Sequence, residues 1–119
     1  MAAAINLSFD SSTFHGGDRL KIYSWTLTDA DPTGDALTHT SHADKTIQAY
    51  GTFGSGTITI QGANHPTSQT WATLTDHADA AITFTAAGMK LIAQNPWAIR
   101  PVLTGSTGAT VTVIVVVKE

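Results

Sequence analysis

The residues best suited to chemistry in this chain are its carboxylates and imidazoles, and their spacing is the first question. Asp29-Ala-Asp31-Pro-Thr-Gly-Asp35 sets three carboxylates close together in a turn-rich segment, the oxygen-donor type that calcium takes. The segment lacks the bidentate glutamate and the spacing of an EF-hand loop. The only glutamate is Glu119, so paired-carboxylate catalysis would rest on Asp29, Asp31, Asp35, Asp44, Asp76 and Asp79. Most of these stand in turns, where aspartate bonds backbone amides. His39 and His42 lie three apart, with His65 and His77 elsewhere, and four imidazoles could gather a metal. A solvated polar loop accounts for the same residues. No serine sits in a Gly-x-Ser-x-Gly elbow, and no glycine-rich phosphate loop precedes a helix. The reading is of a protein with no catalytic residue, no metal ligand and no cofactor, hence not an enzyme.

Charge narrows the partners. Only 13% of residues are Asp, Glu, Lys or Arg, against about 25% in typical soluble domains, and the net charge is −3. The six basic residues, at 19, 21, 45, 90, 100 and 118, are scattered singly, so no electrostatic footprint for nucleic acid forms. Twenty threonines and many small residues take the place of charge. Such a surface keeps itself dissolved less well than a charged one. It fits either a protein covered by neighbours in an assembly, as a homodimer or homotrimer, or a neutral threonine-rich β surface with no partner. There is no cysteine, so neither a disulfide framework nor a thiolate metal site exists. The first residues lack a signal peptide's basic and long apolar regions, and the longest aliphatic run, Val113 to Val117, is too short to cross a bilayer. The expectation is a soluble protein made in a cytoplasm, with no membrane partner. A chain of 119 residues makes one domain able to bury about 65% of its unfolded surface.

The elements that must position any site read as strands. Ile5, Leu7 and Phe9 alternate with Asn6, Ser8 and Asp10, the period of a strand, before Ser11, Ser12, Gly16 and Gly17 break the run. Residues 19–27 place Leu20 and Ile22 on one face and Lys21, Tyr23, Trp25 and Leu27 on the other, which predicts a central strand covered on both sides. Residues 29–34 form a turn cluster and 38–44 a polar loop. Residues 45–53 and 57–61 are strands, and the intervening Gly54-Ser55-Gly56 suits a tight hairpin. Residues 62–69 read as loop. Segments 71–75, 82–85, 89–93, 99–104 and 110–117 complete about nine strands, with turn signals some 8 to 12 residues apart. The fold class is therefore all-β, a single antiparallel β-sandwich of jelly-roll or Ig-like kind. Residues 1–17 form an N-terminal arm or first strand, and 18–119 the sandwich. The expected core includes Ile47, Phe53, Ile58, Ile60, Trp71, Leu74, Phe84, Ile99, Val111 and Val113. The last strand, apolar on both faces at its end, is expected to be central or covered at an interface.

Two local features bear on binding. Trp71, Phe84 and Trp97 are the large aromatic core candidates, each able to remove about 150 to 250 Å² from water. An exposed Trp25, Trp71 or Trp97 would instead stack on a sugar. Arg100 stands between apolar neighbours, followed by Pro101, which removes a ladder donor and predicts an edge or a bulge. Arg100 is either an interface anchor or a partner for Asp76 or Asp79 of the same chain.

The stretch from Tyr50 to Gly105 contains Gly51-Thr-Phe-Gly-Ser-Gly, then Gln61-Gly-Ala-Asn, Trp71-Ala-Thr-Leu-Thr-Asp, Ile82-Thr-Phe-Thr-Ala-Ala-Gly and Pro96-Trp-Ala-Ile-Arg-Pro-Val-Leu-Thr-Gly. In this order it resembles small structural proteins of tailed bacteriophages, which share a glycine-opened hairpin, a QGSN-type turn, and W-x-x-L-T-D, L-T-F-T-A-A-G and P-x-x-I-R-P-V-x-T-G strands. The resemblance covers roughly half the chain, and residues 1–45 add nothing to it. It implies a capsid decoration (cement) protein on the virion surface, whose partners are the major capsid protein and itself. A carbohydrate-binding module on the virion, using loop residues such as Asn64 and Gln69, and a tail or neck component are the alternatives. The partner-binding candidates are Ile5, Leu7 and Phe9, one apolar stripe able to add to a neighbour's sheet edge or to pair within its own sandwich, together with Arg100.

Overall fold

The computed structural model describes residues 1–7, 20–38 and 44–118. Ten strands form among them, and no helix: β1 (Ile5–Asn6), β2 (Leu20–Thr28), β3 (Leu37–Thr38), β4 (Asp44–Thr52), β5 (Thr57–Ala63), β6 (Ala72–Thr73), β7 (Thr83–Phe84), β8 (Gly88–Ile92), β9 (Ala98–Thr104) and β10 (Thr110–Lys118). Two antiparallel sheets pack as a β-sandwich. The larger has the order β1-β2-β10-β4-β8; the other has the order β3-β9-β5-β6, with β7 also on β5.

β10 organises the larger sheet. Its β-branched residues suit the pleat, and it pairs along its whole length with both neighbours, Val113 standing opposite Trp25 on one side and Ala49 on the other. Val111, Val113, Val115 and Val117 all point inward and are at most 1% exposed. They meet Ile58, Ile60, Ile99 and Leu103 of the second sheet in one core cluster. Each such side chain contributes about 1.5–3 kcal/mol on burial. Trp25 is fully buried in this core, and its indole N–H donates to the Asp35 carbonyl at 2.9 Å, so the polar end of the ring has a partner.

Several expectations are corrected. Gly54-Ser55-Gly56 makes no hairpin: β4 pairs with β10 and β8, whereas β5 pairs with β9, β6 and β7. The turn is a corner carrying the chain from one sheet to the other, and residues 105–109 form the matching corner between β9 and β10. The two corners are tied by Thr107 N–H donating to the Gly54 carbonyl at 2.9 Å. Gly54 and Ser55 both adopt left-handed φ, 56° and 63°. β2 is not covered on both sides, for Thr26 on its outer face is exposed. The strand expected over 57–61 runs on to Ala63, and 71–75 shortens to Ala72–Thr73.

Trp71 and Trp97 are not core residues. Trp71 is half-buried and Trp97 is 40% exposed, whereas the other expected core residues, from Ile47 to Val113, are buried. Pro101 does not mark an edge strand, because β9 has β5 on one side and β3 on the other. Its carbonyl accepts from Gly34 N–H on the β3 side. A strand residue's N–H and C=O point the same way in an antiparallel pair. The missing donor therefore faces the segment around Gly34 that precedes β3, and the β5 ladder is left whole.

Candidate functional site

The strand register gathers an apolar surface on the outer face of the larger sheet. In β4 the inward residues are Lys45, Ile47 and Ala49, so Thr46, Gln48 and Tyr50 point outward. Pairing then defines one outward row, Leu91, Thr46, Val116 and Ile22, extended to Leu7 by its N–H donating to the Ile22 carbonyl at 2.7 Å. The next row is Met89, Gln48, Ile114, Ser24 and Ile5. Five of the seven exposed large apolar side chains among the described residues, Ile5, Leu7, Tyr50, Met89 and Leu91, lie on this face. Ile22, Ile114 and Val116 are half-buried between them. Its charged side chains among the described residues are Asp44 and Lys118, of opposite sign and directly opposite one another at one end.

Ile5 and Leu7 thus belong to a surface that also includes Met89, Leu91, Ile114 and Val116, which the sequence reading did not assign to it. A signal was present: β2 and β10 carry apolar residues at both parities. Ile5 and Asn6 pair with Ser24 and Tyr23 of their own sheet. Ala2 is buried, its N–H donating to the Thr33 carbonyl and its carbonyl accepting from Asp35 N–H. Phe9 lies outside the described residues.

Arg100 stands apart from these residues, on the outer face of the opposite sheet. β9 buries Ile99 and Pro101 on either side of it. Its guanidinium carbon lies 4.1 Å from the centre of the Trp71 ring, and its Nε donates to Gln61 Oε1 at 2.9 Å. Partial burial lowers its pKa from the usual arginine value, and it stays a cation. The expected pairing with Asp76 or Asp79 is replaced by these two contacts. Asp76 instead accepts from the amides of Ala80 and Ala78, and the Ala80 bond above all holds its carboxyl below the usual range.

Near the same end, an open depression of about 500 Å³ is lined by Asn64, His65, Ser68, Gln94, Asn95 and Pro96, among others, and by no Asp, Glu, Lys or Arg. His65 Nδ1 accepts from Ser68 N–H at 2.8 Å and from Thr67 N–H at 3.1 Å, which leaves the proton of the neutral ring on Nε2. Asn64 Oδ1 accepts from the backbone N–H of Trp97 at 3.3 Å. Behind the depression, the buried Lys45 donates to Asn95 Oδ1, and desolvation lowers the pKa of its amine.

The calcium-loop reading meets a different use of its first carboxylate. Asp29 accepts from Ser106 Oγ at 2.6 Å and from the amides of Gly108 and Ala109, holding the β9–β10 corner. Those bonds, the Ser106 hydroxyl first, keep its carboxyl below the usual range. Among the described residues no three His, Asp or Glu side chains come together. His39 and His42 lie outside the described residues.

No protein-family model matches the chain, and no curated protein matches it in sequence. Among solved structures the fold is similar to the crystal structure of the SPBc2 prophage-derived protein YomS, with a TM-score of 0.61 and 16% identity over 84% of this chain and 95% of that one. At that identity the likeness establishes a shared fold.

Proposed function

We propose that this chain is a non-enzymatic structural protein of a bacteriophage virion, a capsid decoration protein that binds the assembled head. The observation that carries the reading is the outer face of the larger sheet, an apolar surface across five strands whose described charges stand only at one end. Surfaces of this kind mark sites of association with protein or membrane. The motif order from Gly51 to Gly105 and the shared fold with a prophage-derived protein support placing that association in a virion. The mechanism is mass action. A protein that binds only the assembled shell stabilises it by about 2.7 kcal/mol per site at a hundredfold excess over the dissociation constant.

Co-sedimentation with heads assembled from the major capsid protein of the same phage tests the reading. Saturable binding to assembled heads, with none to free capsid subunits, is expected. Binding to tails or necks instead would assign it there, and binding to no virion part would overturn the proposal.

A second reading, glycan binding on the virion, is favoured by the 40% exposed Trp97 beside a depression lined by uncharged polar side chains. It predicts that neutral oligosaccharides perturb tryptophan fluorescence. No response across a broad glycan array would remove it.

A further inference from the structure

We infer that the depression beside Trp97 binds an acidic sugar, a glycan residue carrying a carboxylate. The inference rests on the glycan reading above and names the preferred ligand class within it.

The protein orients three polar side chains at the depression so that hydrogen-bond donors are left over. Asn64 Oδ1 accepts from the backbone N–H of Trp97 at 3.3 Å, and Asn95 Oδ1 accepts from the amine of Lys45. Both partners only donate here, so each contact fixes which end of the amide is oxygen. In a planar amide the NH₂ group lies across the carbonyl carbon from the oxygen, so both Nδ2 groups are turned away from these partners. His65 follows the same rule, for its Nδ1 accepts from the Ser68 and Thr67 amides and its Nε2–H is left as a donor. Among the described residues none of these three donors has a partner. Gln94 is already engaged at both ends by Thr75, and the hydroxyls of Ser68, Thr70 and Thr73 serve in either role.

A carboxylate complements such a set. It accepts through two oxygens, and hydrogen bonds to an ion are about twice as strong as neutral ones. Lys45, 1% exposed, stands behind Asn95, and its bond polarises that amide and strengthens the outward N–H. The chain is net negative, but among the described residues no carboxylate lines the depression to repel an anion.

The surroundings select a sugar as the carrier of that carboxylate. Trp97 is 40% exposed and follows Pro96, which lines the depression, and its backbone is bonded to one of the three side chains that supply donors. An exposed indole offers an apolar face to a sugar ring, while the three hydroxyls match ring hydroxyls as donor or acceptor. The volume of about 500 Å³ falls within the range of small-ligand sites, about 300–1,000 Å³.

Titration of the isotope-labelled full chain with sodium glucuronate, glucose and sodium acetate tests the inference, read by NMR at the side-chain amides of Asn64 and Asn95 and at the Trp97 indole. Glucuronate is expected to shift these signals saturably, with a dissociation constant of about a few millimolar. Glucose, which lacks the charge, and acetate, which lacks the ring, should each bind at least about tenfold more weakly. Asn64→Asp and Asn95→Asp keep the oxygen that Trp97 N–H and Lys45 use and remove only the outward donor, so each should fold and lose glucuronate affinity at least about tenfold. Gln48→Glu, the same change of charge on the outer face of the larger sheet, should leave binding unchanged. If neither aspartate variant folds, the wild-type ranking of the three ligands decides. Equal affinity for glucuronate and glucose would overturn the inference and leave the glycan reading standing. Acetate bound as tightly as glucuronate would also overturn it, since the sugar ring would then add nothing. So would glucuronate that fails to bind, or that binds both folded aspartate variants normally, and the glycan reading would then rest on the response to neutral oligosaccharides.

Discussion

Arg100 covers Trp71, its guanidinium carbon 4.1 Å from the ring centre, on the outside of the sandwich. The indole that fills the core is Trp25, bonded to the Asp35 carbonyl. The two tryptophans therefore differ in what their removal costs. Trp25→Ala should lose about 3–5 kcal/mol, as for a large core ring. Trp71→Ala should lose about 1–2 kcal/mol, the scale of a cation–π contact with partial burial. Urea unfolding of both variants checks the order, and equal losses would contradict this packing.

Acid should weaken the fold through Asp29 and Asp76. Hydrogen bonds, from Ser106 first for Asp29 and from Ala80 first for Asp76, hold both folded-state carboxyls below the ordinary aspartate pKa. A depressed folded pKa means that the unfolded chain binds protons more readily. The stabilisation is complete above the unfolded value and is lost as pH falls through the folded one. Thermal melts should be flat from about pH 7 to 5 and fall below about pH 4. Asp29→Asn should melt lower at pH 7 and lose less on acidification than the wild type.

The corner at Gly54 should tolerate no side chain. Its left-handed φ already costs an L-residue about 1–2 kcal/mol, and an added Cβ would overlap the Thr107 carbonyl oxygen. Gly108 has a similar φ, 69°, with nothing within 4 Å of such a Cβ. Gly54→Ala should therefore destabilise more than Gly108→Ala. Comparison of denaturation midpoints decides it, and equal shifts would mean that the corner relaxes freely.

Removing residues 1–4 should destabilise the sandwich rather than merely release an arm. Ala2 is buried and bonded to Thr33 and Asp35, so its loss uncovers core and leaves the Asp35 amide without that partner. A lower melting temperature is expected. An unchanged one would show that the segment contributes no fold stability.

What the sequence determined by itself was the local pattern. Period-2 alternation marked the strands and their inward parity, as for Ile58 and Ile60 or Val111 and Val113, because the pleat turns successive side chains to opposite faces within a few residues. Turn residues located the breaks for the same local reason. Pairing was decided only by tertiary structure. Glycines at 54 and 56 permit a hairpin or a corner equally well, and the choice depends on where residues 105–109 pack. Nothing local distinguishes Trp25 from Trp71, since burial depends on which sheet closes over the ring. Arg100 likewise met Gln61 through register and Trp71 through proximity on one outer face. The apolar face unites Ile5 and Leu7 with Met89 and Leu91 because β2, β10 and β4 lie between β1 and β8 in space. That strand order is set by long-range packing, which alternation along the chain does not encode.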